Sequence, residues 1–193
     1  MHDTEMPGEG FIFAAQTGAS TAAAARRTAD AALVDRVCAG DEEAFGEFYR
    51  KFAPMVHGIA LARVPREDVE DIVQDVFVSA FNSIVSLKNH AAPGAWLAAI
   101  TRNRAAEHYR RTRPTEELTE DIRQSPAPRA EASEILAAIR ALPEAYTETL
   151  VLRLVEGMTG PEIAERTGLT PESVRVNLHR GMKMLRQKLG IWE

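Results

Sequence analysis

The sequence predicts an all-α protein built from two small helical domains that are joined by a flexible acidic linker. Apolar residues recur with helical spacing over nearly the whole chain, and aromatic residues make up only 6% of the 193 residues. An acidic stretch that contains three prolines, residues 114–132, separates two periodic regions. We therefore expect a flexible N-terminal tail at 1–29, a helical domain at 30–113, the linker, and a second domain at 133–193 that ends in a helix-turn-helix.

The first helical domain is predicted to contain four amphipathic helices. The first begins at Asp30, Asp41 caps the second, Pro65 opens the third, and the fourth runs from Ala95 to Pro114. The third helix has a broad apolar inner face, composed of Val69, Ile72, Val73, Val76, Phe77, Ala80, Phe81 and Ile84. Its opposite face carries Asp71, Gln74, Asp75, Val78 and Asn82. By composition alone, that second face is an ordinary solvated surface.

The stretch from Thr159 to Leu189 has the pattern of a helix-turn-helix. Thr159 and Glu162 have the spacing of a capping box, in which each residue caps the backbone N–H of the other. Gly168 supplies the turn, and Thr170 caps the second helix. These signals predict a short first helix and a longer second helix.

The second helix of this motif is predicted to have one buried face and one cationic face. The buried face contains Val174, Leu178, Gly181, Met182, Leu185 and Leu189. The opposite face contains Arg175, Val176, His179, Arg180, Lys183 and Arg186. Residues 175–188 include five Lys or Arg and no Asp or Glu. Because a solvated surface helix normally mixes both signs of charge, this pattern favours a helix that enters a DNA major groove.

The charge of the chain is unevenly distributed. The formal net charge is −5, and acidic residues outnumber basic ones nine to four between Asp41 and Asp75. In contrast, residues 102–113 contain five arginines and a single glutamate. Two basic patches on an acidic chain indicate DNA contacts at two places and a protein partner elsewhere.

The sequence argues against several other classes of protein. Cys38 is the only cysteine, so no intramolecular disulfide can form, and the five histidines lack the spacing of metal ligands. We find no glycine-rich phosphate loop and no nucleophile elbow, so we expect neither an enzyme nor a cofactor. No apolar run approaches the length of a membrane span. We therefore expect a cytoplasmic protein without membrane insertion.

Four stretches of the chain together resemble the sigma-70 family, in particular its short extracytoplasmic-function (ECF) members. DEEAFGEFYRKFAPMVHGIA resembles the opening of the family's second conserved region. VEDIVQDVFVSAFNSI resembles its polymerase-binding helix, and AWLAAITRNRAAEHYRR its promoter-melting helix. LPEAYTETLVLRLVEGMTGPEIAERTGLTPESVRVNLHRGMKMLRQKL resembles its fourth region. The resemblance runs from about residue 30 to residue 189, without most of the linker.

The resemblance implies a dissociable subunit of bacterial RNA polymerase. Such a subunit binds the core enzyme, directs it to a two-part promoter and helps to open the minus-ten duplex, while the polymerase supplies the chemistry. The implied partners are the clamp helices and flap of core RNA polymerase, promoter DNA, and an anti-sigma protein. The free protein is expected to be monomeric.

The resemblance also assigns roles to individual residues. A set on the third helix matches the segment that docks on the clamp helices: Asp71, Gln74, Asp75 and Val78. A second set matches the part that captures an unstacked minus-ten base or holds the nearby phosphates: Lys88, Asn89, His90, Arg102, Asn103, Arg110 and Arg111. A third set matches the residues that bind the minus-thirty-five element: Ser173, Arg175, Val176, His179, Arg180 and Lys183. Of these, Arg175, Val176, His179 and Arg180 match the readers of its bases.

One alternative uses only the C-terminal helix-turn-helix. A stand-alone repressor or activator would bind duplex DNA tightly by itself, usually as a symmetric dimer. The sequence offers no coiled-coil seam and no ligand-binding domain to support that alternative.

Overall fold

A computed structural model describes residues 9–112 and 127–191 of the chain. These residues form α-helices, two short 3-10 helices and no strand, which confirms the predicted all-α class. The α-helices are α1 (Glu9–Cys38), α2 (Glu42–Leu61), α3 (Val69–Ser83), α4 (Pro93–Thr112), α5 (Ala127–Arg140), α6 (Glu144–Leu154), α7 (Gly160–Thr167) and α8 (Pro171–Lys188). We call α1–α4 the N-terminal unit and α5–α8 the C-terminal unit.

The N-terminal unit is organised around α2, which packs against α1, α3 and α4. Helix α2 begins where predicted, because the Asp41 side chain accepts a hydrogen bond from the Ala44 N–H at 3.0 Å. Its buried aromatic residues Phe48 and Phe52 lie with their ring centroids 4.9 Å apart. This packing fixes α3 and α4, which carry two of the three predicted binding surfaces, on one rigid scaffold.

The C-terminal unit contains the predicted helix-turn-helix, formed by α7 and α8. The capping box is present, since the Thr159 N–H donates to Glu162 Oε2 at 2.8 Å and the Thr159 side chain accepts from the Glu162 N–H. Gly168 ends α7 with a φ of 77°, a left-handed conformation that favours glycine. The Thr170 hydroxyl then accepts from the Ser173 N–H at 3.1 Å and begins α8. The local sequence signals therefore predicted this motif correctly.

Two predicted boundaries differ from the structure. Helix α1 begins at Glu9, so the boundary expected between a flexible tail and the first domain at residue 30 falls inside a helix. The alanine-rich segment before Asp30 contains no proline, and alanine has the highest helix propensity. Helix α5 begins at Ala127 rather than at Ser133. The sequence prediction assigned Pro128 to the linker, but this proline lies in the first turn of α5, where proline is tolerated. The rest of the predicted linker, up to residue 126, lies outside the described residues.

One residue that was predicted for the buried inner face of α3 is exposed in the structure. Phe81 is 58% exposed, although its ring forms a T-shaped contact with the ring of Phe45 at a centroid distance of 5.0 Å. Each helical residue advances by about 100°, which places Phe81 about 40° from buried Phe77, towards Gln74 and Val78. Phe81 therefore lies at the border between the buried and the exposed face.

The two units also pack directly against each other, which the sequence did not predict. Helix α2 contacts α6, helix α4 contacts α7, and the buried apolar residues of both units form one contiguous core. Two glycines allow the close approach. A Cβ at Gly58 would lie 2.8 Å from Leu152 Cδ2, and a Cβ at Gly94 would lie 2.8 Å from the carbonyl oxygen of Arg166. The structure is therefore a closed arrangement of the two units.

Candidate DNA- and polymerase-binding surfaces

The cationic face of α8 is fully accessible. All six residues predicted to bind the minus-thirty-five element are exposed: Ser173, Arg175, Val176, His179, Arg180 and Lys183. The opposite face is anchored by Val174, Gly181 and Leu185, which are buried. At Gly181 a Cβ would come within 3.0 Å of Leu150 Cδ1, so glycine lets α8 lie close to α6. The helix is thus held firmly on one side and presents a cationic surface on the other.

A shallow concavity of ≈ 490 Å³ lies on this cationic face, between Arg175, Val176, His179 and Arg180. Guanidinium groups can donate two hydrogen bonds to the major-groove edge of guanine, and an exposed valine can contact a thymine methyl group. The concavity therefore combines the two kinds of contact that distinguish base pairs in a major groove.

The residues predicted to recognise the minus-ten element lie in two places. Lys88, Asn89 and His90 lie in the loop before α4, where Asn89 Oδ1 accepts from the Ala91 N–H at 3.1 Å. His90 Nδ1 lies 2.6 Å from Asp35 Oδ1, so α1 helps to orient this loop. Asn103 is exposed but lies well into α4, about 15 Å along the helix axis from Pro93. The loop and Asn103 are therefore separate contact points along one surface.

The predicted phosphate-binding arginines of α4 differ in their availability. Arg110 and Arg111 are exposed near the end of the helix, and Arg111 forms an ion pair with Glu107. Arg102, in contrast, points towards the C-terminal unit, and its Nη2 and Nε donate to the carboxylate of Glu148 at 2.7 and 3.1 Å. Of the three predicted phosphate ligands, Arg102 is therefore the one that is engaged by a buried carboxylate of the C-terminal unit.

The predicted polymerase-binding residues share one exposed face of α3. Asp71, Gln74, Asp75 and Val78 are all exposed, as the amphipathic pattern predicted. Phe81 and Val85 extend the same face with two exposed apolar side chains that our site prediction omitted. A signal for Phe81 was present, since it falls within about 60° of Val78 on the helical wheel. Val85 lies beyond α3, in a short 3-10 helix (Ile84–Ser86) to which this wheel does not apply. The result is a mixed acidic and apolar surface, which is chemically suited to a basic protein partner.

Glu148 lies at the centre of the polar contacts between the units. Its side chain belongs to α6, only 5% of the residue is exposed, and it accepts from Arg63 Nη2 at 2.6 Å as well as from Arg102. Burial raises the pKa of this carboxyl, but the hydrogen bonds and charges of Arg102 and Arg63 outweigh burial and leave the pKa below its ordinary value. Glu148 is therefore a charged, paired carboxylate at the interface between the two units.

Further polar contacts surround this centre. Arg26 of α1 pairs with Glu165 of α7 at 2.8 Å, and Arg166 Nη1 donates to the carbonyl oxygen of Lys51 at 3.0 Å. His57 Nδ1 lies 2.7 Å from Glu156 Oε1. These contacts join residues 99 to 139 positions apart, so no local pattern in the sequence could have identified them.

We expect the closed arrangement to be more stable in mild acid. The Glu156 hydrogen bond raises the pKa of His57 above its ordinary value of 6.5, against a smaller effect of burial. Protonated His57 therefore stabilises the contact fully below pH 6.5, and this contribution disappears as the pH rises through the raised pKa. The contribution should stay under about 1 kcal/mol, because the His57 side chain is 37% exposed and water screens the pair.

Thermal unfolding measured between pH 5 and pH 9 tests this expectation. The His57→Gln variant keeps a hydrogen-bonding side chain of similar reach and serves as the control. We expect a flatter profile for the variant, and equal slopes for both proteins would contradict the assignment.

The described part of the chain offers neither a metal site nor a membrane span. Within residues 9–112 and 127–191, no group of three or more His, Cys, Asp or Glu side chains could hold a metal ion. No helix in this part of the chain is long and apolar enough to cross a membrane.

The fold and its surfaces define a helical DNA-binding protein with two units, one of which is a helix-turn-helix. Comparison with protein families matches each of the two units to a conserved region of one family. Residues 48–115 match the family model described as Sigma-70 region 2, and residues 132–185 match the model described as Sigma-70, region 4. Together the two models cover more than half of the chain.

Comparison with individual proteins indicates the same family. The chain is 31% identical to the ECF RNA polymerase sigma-E factor of Haemophilus influenzae, over 86% of this chain and 97% of that protein. It is 29% identical to the RNA polymerase sigma factor CarQ of Myxococcus xanthus, over 81% of this chain and 95% of that protein. The chain belongs to the sigma-70 family of RNA polymerase sigma factors, among its ECF members.

A solved structure shows the same fold. CnrH, solved in complex with the cytosolic domain of CnrY, is 26% identical and superposes with a TM-score of 0.63, over 86% of this chain and 99% of that chain. The match to region 2 as well as region 4 disfavours the alternative of a stand-alone helix-turn-helix repressor or activator.

Proposed function

We propose that this ECF sigma factor uses three separate surfaces to bind core RNA polymerase, direct it to specific promoters and assist promoter melting. The observation that carries the proposal is the exposed cationic face of α8 on a fully capped helix-turn-helix, within a chain that also matches region 2. Run-off transcription with core polymerase on a randomised promoter library tests it. Promoter-specific transcripts that require the protein are expected, whereas tight operator binding without any effect on core polymerase would contradict the proposal.

We assign recognition of the minus-thirty-five element to the α8 surface. Arg175 and Val176 lie in its N-terminal half, and the N-terminal half of a recognition helix is the part that usually contacts base edges. Lys183 and Arg186 lie closer to its C-terminal end, and we propose that they contact phosphates. This division predicts different effects for substitutions at the two ends of the helix.

Arg175→Ala is expected to relax specificity at one upstream base pair and to cost roughly 1–3 kcal/mol of binding free energy there. The reason is the loss of a guanidinium group that can donate two hydrogen bonds to guanine. Run-off transcription from a panel of promoters with single upstream substitutions measures the effect.

Arg186→Ala is the matched control, because it removes the same charge from the same helix nearer its C-terminal end. The control should weaken binding to all promoters of the panel by a similar factor. Identical selectivity profiles for the two variants would contradict a base-reading role for Arg175.

We assign the minus-ten element to the loop before α4 and to the exposed polar face of that helix. Flipping a base out of the stack costs a few kcal/mol, so the protein must supply hydrogen bonds that recover this cost. Lys88, Asn89 and His90 offer such groups, and Asn103 adds a further amide. Arg110 and Arg111 are exposed and suited to hold the phosphates of the separated strand, while Arg102 needs release from Glu148 first.

We assign core polymerase docking to the α3 face of Asp71, Gln74, Asp75 and Val78, with Phe81 and Val85 as apolar extensions. The carboxylates would steer the protein to a basic coiled coil of the largest subunit, and the apolar side chains would add buried area. The catalytic chemistry of transcription belongs to the polymerase in this proposal.

We further infer that an anti-sigma protein binds this chain. CnrH, a relative of the same fold, was solved in complex with the cytosolic domain of CnrY, so a protein of this fold assembles with a second protein. The large exposed apolar side chains of α3 offer such a partner an accessible surface.

A further inference from the structure

We propose that Asp35 of α1 is a positioning residue for minus-ten recognition, because it holds His90 in the tautomer with the proton on Nδ1 and leaves Nε2 as a hydrogen-bond acceptor for an unstacked base. This inference rests on the proposed function, since it assumes that the loop before α4 meets a minus-ten base. It adds to that function a residue of α1, which lies outside the residues that match the region 2 model.

The first argument is the contact between α1 and the loop. His90 Nδ1 lies 2.6 Å from Asp35 Oδ1, which is within hydrogen-bond distance. A carboxylate can only accept hydrogen bonds, so the proton of this contact belongs to His90. A neutral imidazole carries one proton, and its other nitrogen then presents a lone pair. Asp35 therefore fixes Nε2 of the neutral ring as an acceptor.

The second argument is that this acceptor is available. The His90 side chain is 33% exposed, and Nε2 is not buried. Within residues 9–112 and 127–191, no hydrogen-bond partner occupies Nε2. An accessible lone pair without a partner can accept a hydrogen bond from a ligand.

The third argument is that the neighbouring residue supplies the complementary group. Asn89 Oδ1 accepts from the Ala91 N–H at 3.1 Å, so the side-chain oxygen of this amide is engaged inside the loop. The Ala92 N–H donates to the Asn89 carbonyl oxygen at 3.2 Å and closes the turn. Asn89 is exposed, and its Nδ2 carries two N–H donors. The loop thus offers a donor from Asn89 beside an acceptor from His90.

One donor beside one acceptor can distinguish two classes of base. A flipped base is read through its Watson–Crick edge. On this edge adenine and cytosine carry a donor amino group next to an acceptor ring nitrogen, whereas guanine and thymine carry an acceptor carbonyl next to a ring N–H donor. Because the order is opposite in the two classes, a loop with a fixed order favours one of them. If Nε2 became a donor, the loop would lose this discrimination.

Asp35 is also held on a firm support. Helix α1 packs against the 3-10 helix Ile84–Ser86, which comes immediately before the loop. On either side of Asp35 along this helix, Val34 and Val37 are buried in the core. The core of the N-terminal unit therefore fixes the position from which the carboxylate orients His90.

The test uses variants of the full chain. Asp35→Ala removes the carboxylate, whereas Asp35→Asn keeps an oxygen that can accept from Nδ1 and serves as the conservative rescue. Glu47→Ala is the matched control, because it removes the same charge and an ion pair with Arg36 of α1 at 3.0 Å without changing the contact to the loop. Circular dichroism checks the fold of each variant, and the Asp35 side chain is 65% exposed, so we expect all of them to fold.

The first readout is nitrogen-15 NMR of the histidine rings in the free protein at alkaline pH, with His90→Gln to assign the His90 signals. We expect the Nδ1–H tautomer of His90 in the wild type, in Asp35→Asn and in Glu47→Ala. In Asp35→Ala we expect a mixture of both tautomers. A wild-type ring protonated on Nε2, or an unchanged ratio of tautomers in Asp35→Ala, would overturn the proposal.

The second readout is run-off transcription at the same pH from promoters that carry each of the four bases at each minus-ten position. At the position that the loop reads, the ratio of transcription from the favoured class of base to the other class should fall about fivefold in Asp35→Ala, the effect of one lost hydrogen bond. Asp35→Asn and Glu47→Ala should keep the wild-type ratio. In a His90→Gln background, Asp35→Ala should have no further effect, because it acts through His90.

The outcomes separate this inference from the proposed function. Equal ratios in the wild type and in Asp35→Ala would overturn the role of Asp35 in recognition, even if the wild type supports promoter-specific transcription. A further loss in the His90→Gln background would also overturn it, because Asp35 would then act by another route. Failure of the wild type to direct any promoter-specific transcription would instead overturn the proposed function.

Discussion

Leu150→Ala is expected to lower the free energy of unfolding by about 3 kcal/mol and to abolish transcription that depends on the minus-thirty-five element. Leu150 is completely buried on α6, and its Cδ1 and Cγ lie where α8 approaches most closely at Gly181. Removal of the isobutyl group leaves a cavity between these two helices, and α8 loses the support that holds its cationic face in position. Leucine-to-alanine changes in rigid cores typically cost about 2–5 kcal/mol.

Chemical denaturation and run-off transcription measure the two effects. The control is Leu154→Ala, the same substitution one turn further along α6, where the leucine is 46% exposed. The control should unfold within about 1 kcal/mol of the wild type and keep its transcription activity. Similar losses at both positions would show that α6 does not support α8 in the way that the packing indicates.

The features that the sequence predicted well are those whose cause is local. Three such features depend on residues within four positions of one another. They are the capping box at Thr159 and Glu162, the left-handed Gly168 and the cap at Thr170. Helical periodicity likewise identified the buried side of α8 and its exposed cationic side, since both follow from spacing along one helix. The candidate surface of α8 was therefore accessible to sequence reasoning.

The features that the sequence did not predict depend on contacts between distant segments. Glu148 follows the pattern of a solvated helix position, yet two arginines of the N-terminal unit pair with it and make its burial possible. The sequence predicted Gly94 as the last residue of a loop, whereas it lies in the first turn of α4 and permits the close approach of the Arg166 backbone. Likewise, an apolar residue at the edge of a helical stripe can be buried or exposed, depending on which helices pack beside it. Phe81 is such a residue, and it is exposed.

These distant contacts change the interpretation of the charge pattern. The sequence separates an acidic α3 face from the basic end of α4 and the basic α8, which suggests three independent surfaces. In the structure the α3 face and the α8 face remain exposed, whereas Arg102 of the α4 surface is engaged by Glu148. If core polymerase docks on the α3 face, as we propose, docking requires no separation of the two units.

Reversal of both charges at Asp71 and Asp75, to lysine, is expected to weaken binding to core polymerase by about 100-fold, or ~3 kcal/mol. Both side chains are exposed on the same face of α3, so the reversal would place two positive charges against a basic coiled coil. The fold should tolerate the change, because neither residue is buried and only Asp71 lies in the first turn, where an acidic side chain contributes about 0.3–1 kcal/mol through the helix dipole.

The matched control is the reversal of Glu42 and Glu43, which are exposed in the first turn of α2. This control changes the net charge by the same amount and imposes at least the same helix-dipole penalty, but it leaves the α3 face intact. Competition for core polymerase against labelled wild-type protein measures both variants, and thermal unfolding checks their fold. If core binding uses the α3 face, only the Asp71 and Asp75 variant loses the competition, whereas equal losses in both variants would mean that total charge, not this surface, governs docking.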